Sequence, residues 1–115
     1  MSVQVDELDG WAVARVHGDI DVATAPRLRE QLVAVVTGGQ PNVVLDLDGV
    51  EFLDSTGLGV IVGLLKRTRT HGGDLRLVCT RPAVCRVFEI TALDRTLPLS
   101  DSVEAAVARP SSGVG

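Results

Sequence analysis

The residues able to do chemistry in this chain gather in one stretch. Val43 to Leu65 reads VVLDLDGVEFLDSTGLGVIVGLL, in which an apolar start gives way to an acidic middle and then to Asp54-Ser55-Thr56-Gly57, set directly before a second apolar run. Asp and Ser are both favoured N-cap residues, because their side-chain oxygens accept a free N–H of a helix's first turn. The spacing therefore places Ser55 at a helix N-terminus with its hydroxyl in solvent. Such a hydroxyl suits phosphorylation. The added group carries about −1.5 to −2 charges at pH 7, and the free N–H groups and positive dipole end of a helix take up that charge without refolding. Asp54 adjoins Ser55, and the fold is expected to bring Asp21, Asp48 and Glu51 near it. A phosphate among these carboxylates would be felt mainly by whatever docks on that surface. Without its surroundings, the same triplet is simply a helix cap. Gly57 and Gly59 are costly in a first turn, and close approach of another backbone is one reason to keep them.

Catalysis fits less well. A nucleophile elbow needs G-x-S-x-G, and Leu53 stands two before Ser55. The available bases are His17, on a strand, and His71, whose place before Gly72-Gly73 suits a helix C-terminal charge. A phospho-receiver reading of Asp46, Asp48 and Asp54 needs a Lys after a late strand, and the one Lys, Lys66, falls on a helix. Cys79 and Cys85 form no CxxC pair and have no His beside them, so they read as reduced packing residues of an intracellular protein. No metal site or cofactor is called for. Arg81, Arg86 and Arg95 read as scattered surface charges.

The elements that position Ser55 follow from periodicity. Val3–Val5 and Trp11–His17 are predicted to form a hairpin across Asp9-Gly10, with Trp11, Val13, Arg15 and His17 on one strand face and Ala12, Ala14 and Val16 on the other. Gly18 and Asp19 break the second strand. Thr24 caps a helix with Pro26 in its first turn and Leu28, Leu32, Val35 and Val36 as its stripe, ending at Gly38-Gly39. Asn42–Leu47 is a central strand, and Asp48–Asp54 a loop. Thr56–Thr70 is a helix with Leu58, Ile61, Val62 and Leu65 inward. Leu75–Cys79 is a strand, Pro82 opens a helix carrying Val84, Val87 and Phe88, and Thr96–Leu99 is an edge strand. Ser100 or Asp101 caps a final helix through Ala108; with Asp101 as cap, Glu104 completes a capping box. The order β-β-α-β-α-β-α-β-α argues for an α/β domain with a mainly parallel sheet.

Length and composition set the bounds. One domain accounts for 115 residues, with residues 1–109 folded and 110–115 a polar, disordered tail. At 45% hydrophobic and 23% charged, the chain is globular. Trp11, Phe52 and Phe88 are its aromatics, too few for a base-stacking nucleic-acid module. A net charge of −4 opposes binding to nucleic-acid phosphates or anionic lipid. The N-terminus has no basic start or apolar h-region, and the apolar stretch Gly57–Leu65 is too short to span a bilayer. A cytoplasmic location is expected.

Two motifs in order carry a family resemblance. Leu53-Asp54-Ser55-Thr56-Gly57-Leu58-Gly59-Val60 resembles the phosphorylation loop of STAS-domain anti-sigma factor antagonists, and Gly18-Asp19-Ile20-Asp21-Val22-Ala23-Thr24-Ala25-Pro26-Arg27-Leu28 resembles an upstream segment of the same family, with Val43–Leu47 between them. Asp19 stands where Glu is commoner, and Thr56 where Ser is frequent. The resemblance implies a STAS fold, a small mixed, mainly parallel sheet flanked by about four helices. It implies that Ser55 is the phospho-acceptor of a cognate anti-sigma factor, a serine kinase. Ser55 is preferred over Thr56, which begins the helix proper. Asp21, Thr24, Asp54, Ser55, Thr56, Gly57 and Leu58 would form the partner-binding face. Unphosphorylated protein would hold the anti-sigma factor and free its sigma factor, and a PP2C-type phosphatase would reset the phosphorylated form. The oligomeric state, monomer or weak dimer, stays open. Alternatives within and beyond the fold are a scaffold subunit of a stress-sensing or transport complex and, more remotely, a small serine hydrolase.

Overall fold

Alternation along the second strand sets the layering of the molecule. In the computed structural model, which describes residues 1–110, strand β2 (Trp11–Ile20) buries Ala12, Ala14 and Val16 on one face of the sheet and Val13 on the other. A strand that is apolar on both faces needs cover on both. β2 pairs antiparallel with β1 (Ser2–Leu8), Val3 opposite Val16 and Val5 opposite Ala14. On its other side it runs parallel to β3 (Asn42–Leu53), which is followed by β4 (Asp74–Val78) and the two-residue β5 (Leu99–Ser100), also parallel. The sheet order is the chain order, β1-β2-β3-β4-β5.

Helices α1 (Ala25–Thr37), α2 (Ser55–Thr70) and α3 (Pro82–Ile90) contribute Leu28, Leu32, Ile61 and Phe88 to a core that includes Leu45 and Leu77. The short α4 (Val103–Ala108) covers the opposite face, with Val103 and Ala106 against Val13, Val44 and Val78. Arg76 emerges on this second face, only 8% exposed. Its guanidinium lies 4.4 Å from the Trp11 ring centroid and donates to the carbonyls of Ala106 and Val107 at 2.7 and 3.2 Å. Those carbonyls belong to the negative end of α4, so the buried cation is compensated without a carboxylate.

The expected α/β class and element order hold, with a 3-10 turn at Leu93–Arg95 added between α3 and β5. Several boundaries differ. β2 does not stop at His17, because Gly18 takes φ of +98° and absorbs an irregularity while pairing continues through Ile20. The same pairing extends β3 to Leu53, so Asp48–Leu53 is strand where a loop was expected. α2 begins at Ser55 and buries Leu64, while Leu58 and Val62 are half-buried. The edge strand is Leu99–Ser100, not Thr96–Leu99. With Ser100 inside that strand, Ser102 becomes the cap of α4, its hydroxyl accepting from Ala105 N–H at 3.1 Å. Glu104 therefore sits one position too early for a capping box. The expected tail lies outside the described residues beyond Pro110.

The central position of β3 gives a stability prediction. Leu45 is fully buried between β2 and β4, so Leu45→Ala should cost about 2–5 kcal/mol in urea unfolding. Val5→Ala, at a half-exposed position on β1, should stay within about 1 kcal/mol.

Candidate functional site

The site is built where the ends of β2 and β3 meet the start of α2. Asp54 is extended, with φ −99° and ψ −178°, and its carboxylate accepts from Gly57 N–H at 2.9 Å. Its backbone carbonyl accepts from Leu58 N–H at 2.9 Å, and its own N–H donates to the Ile20 carbonyl at 3.2 Å. Asp54, not Ser55, is thus the N-cap, and Ser55 is the first helical residue. Its side chain is exposed, as is that of Thr56. The N–H groups of Ser55 and Thr56 meet no acceptor among the described residues, so the first turn keeps two donors facing outward. Exposure alone does not separate the two hydroxyls. Thr56 is the one that lines a groove between α1 and α2, a cavity of about 310 Å³ also lined by Arg29, Val33 and Arg67.

Gly57 explains how the helix comes so close to the sheet. A Cβ there would lie 2.6 Å from Ile20 Cγ2, 2.6 Å from Leu53 Cδ1 and 2.9 Å from the Ile20 carbonyl oxygen. Any side chain would push α2 off the strand ends. Gly59 differs, because a Cβ there would meet nothing within 4 Å. The close approach inferred from sequence applies to position 57 and not to 59.

Asp21 and Thr24 organise the neighbouring turn from β2 into α1. Asp21 Oδ1 accepts from Ala23 N–H at 2.9 Å and Thr24 N–H at 3.1 Å, and the Asp21 carbonyl accepts from Ala25 N–H at 2.8 Å. Thr24 occupies the N-cap position, but its hydroxyl does not cap the helix. It donates to the Asp19 carbonyl at 2.8 Å and accepts from Asp21 N–H at 2.9 Å. Helix α1 has no side-chain cap: the Asp21 carboxylate orders the turn before it, and the Asp21 carbonyl takes the Ala25 N–H. Asp21 therefore holds the start of α1, so its removal disturbs local structure as well as surface charge.

Not every predicted neighbour is present. Asp48 accepts from Thr80 N–H at 2.8 Å and Thr80 Oγ1 at 3.0 Å, which ties β3 to the segment after β4. It stands seven residues before Ser55 on a strand rising about 3.3 Å per residue, too far to belong to the rim. Glu51 is exposed on the same strand, nearer the site. His71 is the C-cap of the 16-residue α2, its Nδ1 2.9 Å from the Arg67 carbonyl. At about 1.5 Å per residue it lies the full helix length from Ser55, out of reach as a base. His17 is exposed on β2, beside Gly49.

Sequence reasoning missed two apolar residues here. Val22 is 71% exposed and Phe52 is 52% exposed. They occupy the two segments joined by the Asp54–Ile20 hydrogen bond, and Phe52 pairs with Asp19 across the strands. A signal was available: Phe52 is one of three aromatics, placed between acidic residues. Reading Asp48–Asp54 as a loop hid the alternation that buries Leu53 and turns Phe52 outward.

The STAS domain family profile matches residues 2–106. The anti-sigma-B factor antagonist of Bacillus subtilis is 36% identical over 107 residues, covering 93% of this chain and 97% of that protein. The anti-sigma-B factor antagonist of Staphylococcus aureus is 30% identical over 104 residues, covering 90% and 96%. Among solved structures, an anti-sigma factor antagonist from Mycobacterium paratuberculosis superposes with a TM-score of 0.84 at 36% identity, covering 92% of this chain and 90% of that one. None of the described helices is long and apolar enough to cross a membrane.

The cap geometry predicts that Asp54→Ala costs about 1 kcal/mol. Asp54→Ser should recover most of that loss in thermal melts, since its hydroxyl can also accept from Gly57 N–H. Equal melting of both variants would remove the cap from the account.

Proposed function

The chain belongs to the STAS domain family, and from that premise we propose that it is an anti-sigma factor antagonist switched by phosphorylation of Ser55. In its unphosphorylated form it binds an anti-sigma factor in the cytoplasm and thereby frees the sigma factor. The anti-sigma factor is also the serine kinase that modifies Ser55, and a PP2C-type phosphatase restores the binding form. The protein is a kinase substrate and regulatory binder with no catalytic residue of its own.

The observation that carries this reading is the state of Ser55: an exposed residue on the first turn of α2, beside two N–H groups without a partner among the described residues and behind a carboxylate cap. The backbone is already arranged to receive a phosphate. The phosphate would then add about −1.5 to −2 charges beside Asp54 without moving the helix. Val22 and Phe52 supply apolar contact area of the kind that carries binding energy, and the carboxylates supply charge that a modification can intensify. Asp21, Thr24, Asp54, Thr56, Gly57 and Leu58 complete the face. Three of these contribute chiefly by shape: Asp21 and Thr24 through the turn into α1, and Gly57 through the seating of α2.

Incubation with ATP and its cognate anti-sigma kinase should add one phosphate, mapped by peptide mass to Ser55. Ser55→Ala should bind that kinase with or without ATP. Ser55→Asp should bind at least tenfold more weakly in calorimetry, though one carboxylate supplies less charge than phosphate. Phosphate on Thr56 alone, or equal affinity of the two variants, would overturn the assignment. Phe52→Ala should weaken binding of the unphosphorylated form by more than 1 kcal/mol while leaving the melting temperature nearly unchanged.

A further inference from the structure

Two thiols face each other beyond the end of β4. Cys79 directly follows that strand and is buried, while Cys85 lies one turn into α3 and is half-buried. Both are free, and their Sγ atoms are 3.1 Å apart. Their approach does not depend on the sulfurs. Cys79 N–H donates to the Ser100 carbonyl at 3.0 Å, and Cys85 N–H donates to the Arg81 carbonyl at 2.9 Å. The intervening turn is held from outside, because Thr80 N–H and Arg81 Nε–H donate to the Asp48 carboxylate and carbonyl at 2.8 and 2.7 Å. The backbone thus fixes both ends of the pair. A disulfide needs about 2.05 Å between sulfurs, so closing the remaining gap of about 1 Å falls within the reach of side-chain rotation.

We propose that Cys79 and Cys85 are a reversible oxidation site, closing an intramolecular disulfide on reaction with a hydroperoxide. This inference is independent of the function assigned to Ser55. The more exposed Cys85 reacts first. Its thiolate attacks the peroxide oxygen, the O–O bond breaks, and Cys85 becomes a sulfenic acid as the peroxide is reduced to an alcohol or water. Cys79 then attacks Cys85 Sγ. The S–S bond forms, the S–O bond breaks, and the departing hydroxide leaves as water with the Cys79 proton. Two thiols supply the two electrons that the peroxide accepts. Burial, with the neighbouring Cys85 adding to it, pushes the Cys79 thiol up to about 12. Cys79 therefore stays protonated and is not the first to react; the 3.1 Å approach of the two sulfurs, not thiolate character, assigns it the second step. The closed ring encloses Thr80-Arg81-Pro82-Ala83-Val84, including the Thr80-Arg81 turn that binds β3 through Asp48.

Hydrogen peroxide added to the reduced full-length protein, followed by alkylation and tryptic mapping, tests this directly. The peptide Leu77–Arg86 contains both cysteines and should lose two hydrogens while taking up no alkylating reagent. Dithiothreitol should reverse the change, and the oxidised protein should melt at a higher temperature because the cross-link restricts the unfolded chain. Cys79→Ser should let Cys85 proceed to sulfinic acid under the same treatment. The proposal is overturned if the wild-type peptide stays doubly alkylated, if disulfide-linked dimers form instead, or if Cys85 in the Cys79→Ser variant resists over-oxidation as well as it does in the wild type.

Discussion

The hydrogen bond from Asp54 N–H to the Ile20 carbonyl is the contact on which the site depends. It closes the end of the β2–β3 pairing and sets where α2 can begin. Gly57 is pressed against the same Ile20 residue, so the helix is seated on the strand end and not held off by a side chain. Asp21, the next residue along the chain, orders the start of α1 through its carboxylate and carbonyl. One dipeptide, Ile20-Asp21, thus fixes the N-termini of two helices. The exposed Ser55, the groove beside Thr56, and Val22 and Phe52 are all held in place by that junction.

Much of this was legible in the sequence for a physical reason. Helix caps and hydrophobic periods are local signals, and Asp54-Ser55 before an apolar run with 3.6-residue spacing admits one main reading. The alternation in β2 likewise revealed both of its faces. What stayed hidden depended on partners far along the chain. Asp48–Leu53 looks polar and Gly-containing, so it reads as a loop. It is a strand because β2 continues past Gly18 to pair with it. Thr24 looks like a cap because Thr is a cap type, yet its hydroxyl is drawn back into the turn, between Asp21 N–H and the Asp19 carbonyl. Asp48 looked like part of the acidic rim because the loop reading allowed it to fold back towards Ser55. In an extended strand it points its hydrogen-bonding capacity at Thr80 instead. Ser100 and Asp101 both offer themselves as the cap of α4 ahead of Ser102, because nothing local reveals that Ser100 pairs with Val78.

The distribution of carboxylates bears on how a phosphate at Ser55 would act. The chain's net charge of −4 is not simply spread over a solvated surface. Asp54 and Asp21 flank the junction, and the carboxylate of each has a structural task, Asp54 accepting a first-turn N–H of α2 and Asp21 two N–H groups of the turn before α1. A carboxylate engaged in this way cannot rotate away from a new negative charge. Nor would α2 be expected to withdraw, because Gly57 and the Ile20 carbonyl anchor its first turn. The remaining partners for the phosphate oxygens are the outward N–H groups of Ser55 and Thr56, which favour the modified state locally. A phosphate at Ser55 would therefore change the surface potential of the domain more than its shape. On the proposed reading, that is the property a partner-switching protein requires. The anti-sigma factor would meet the same contour in both forms, with Val22 and Phe52 still presented, and its choice between holding and releasing would rest on charge alone.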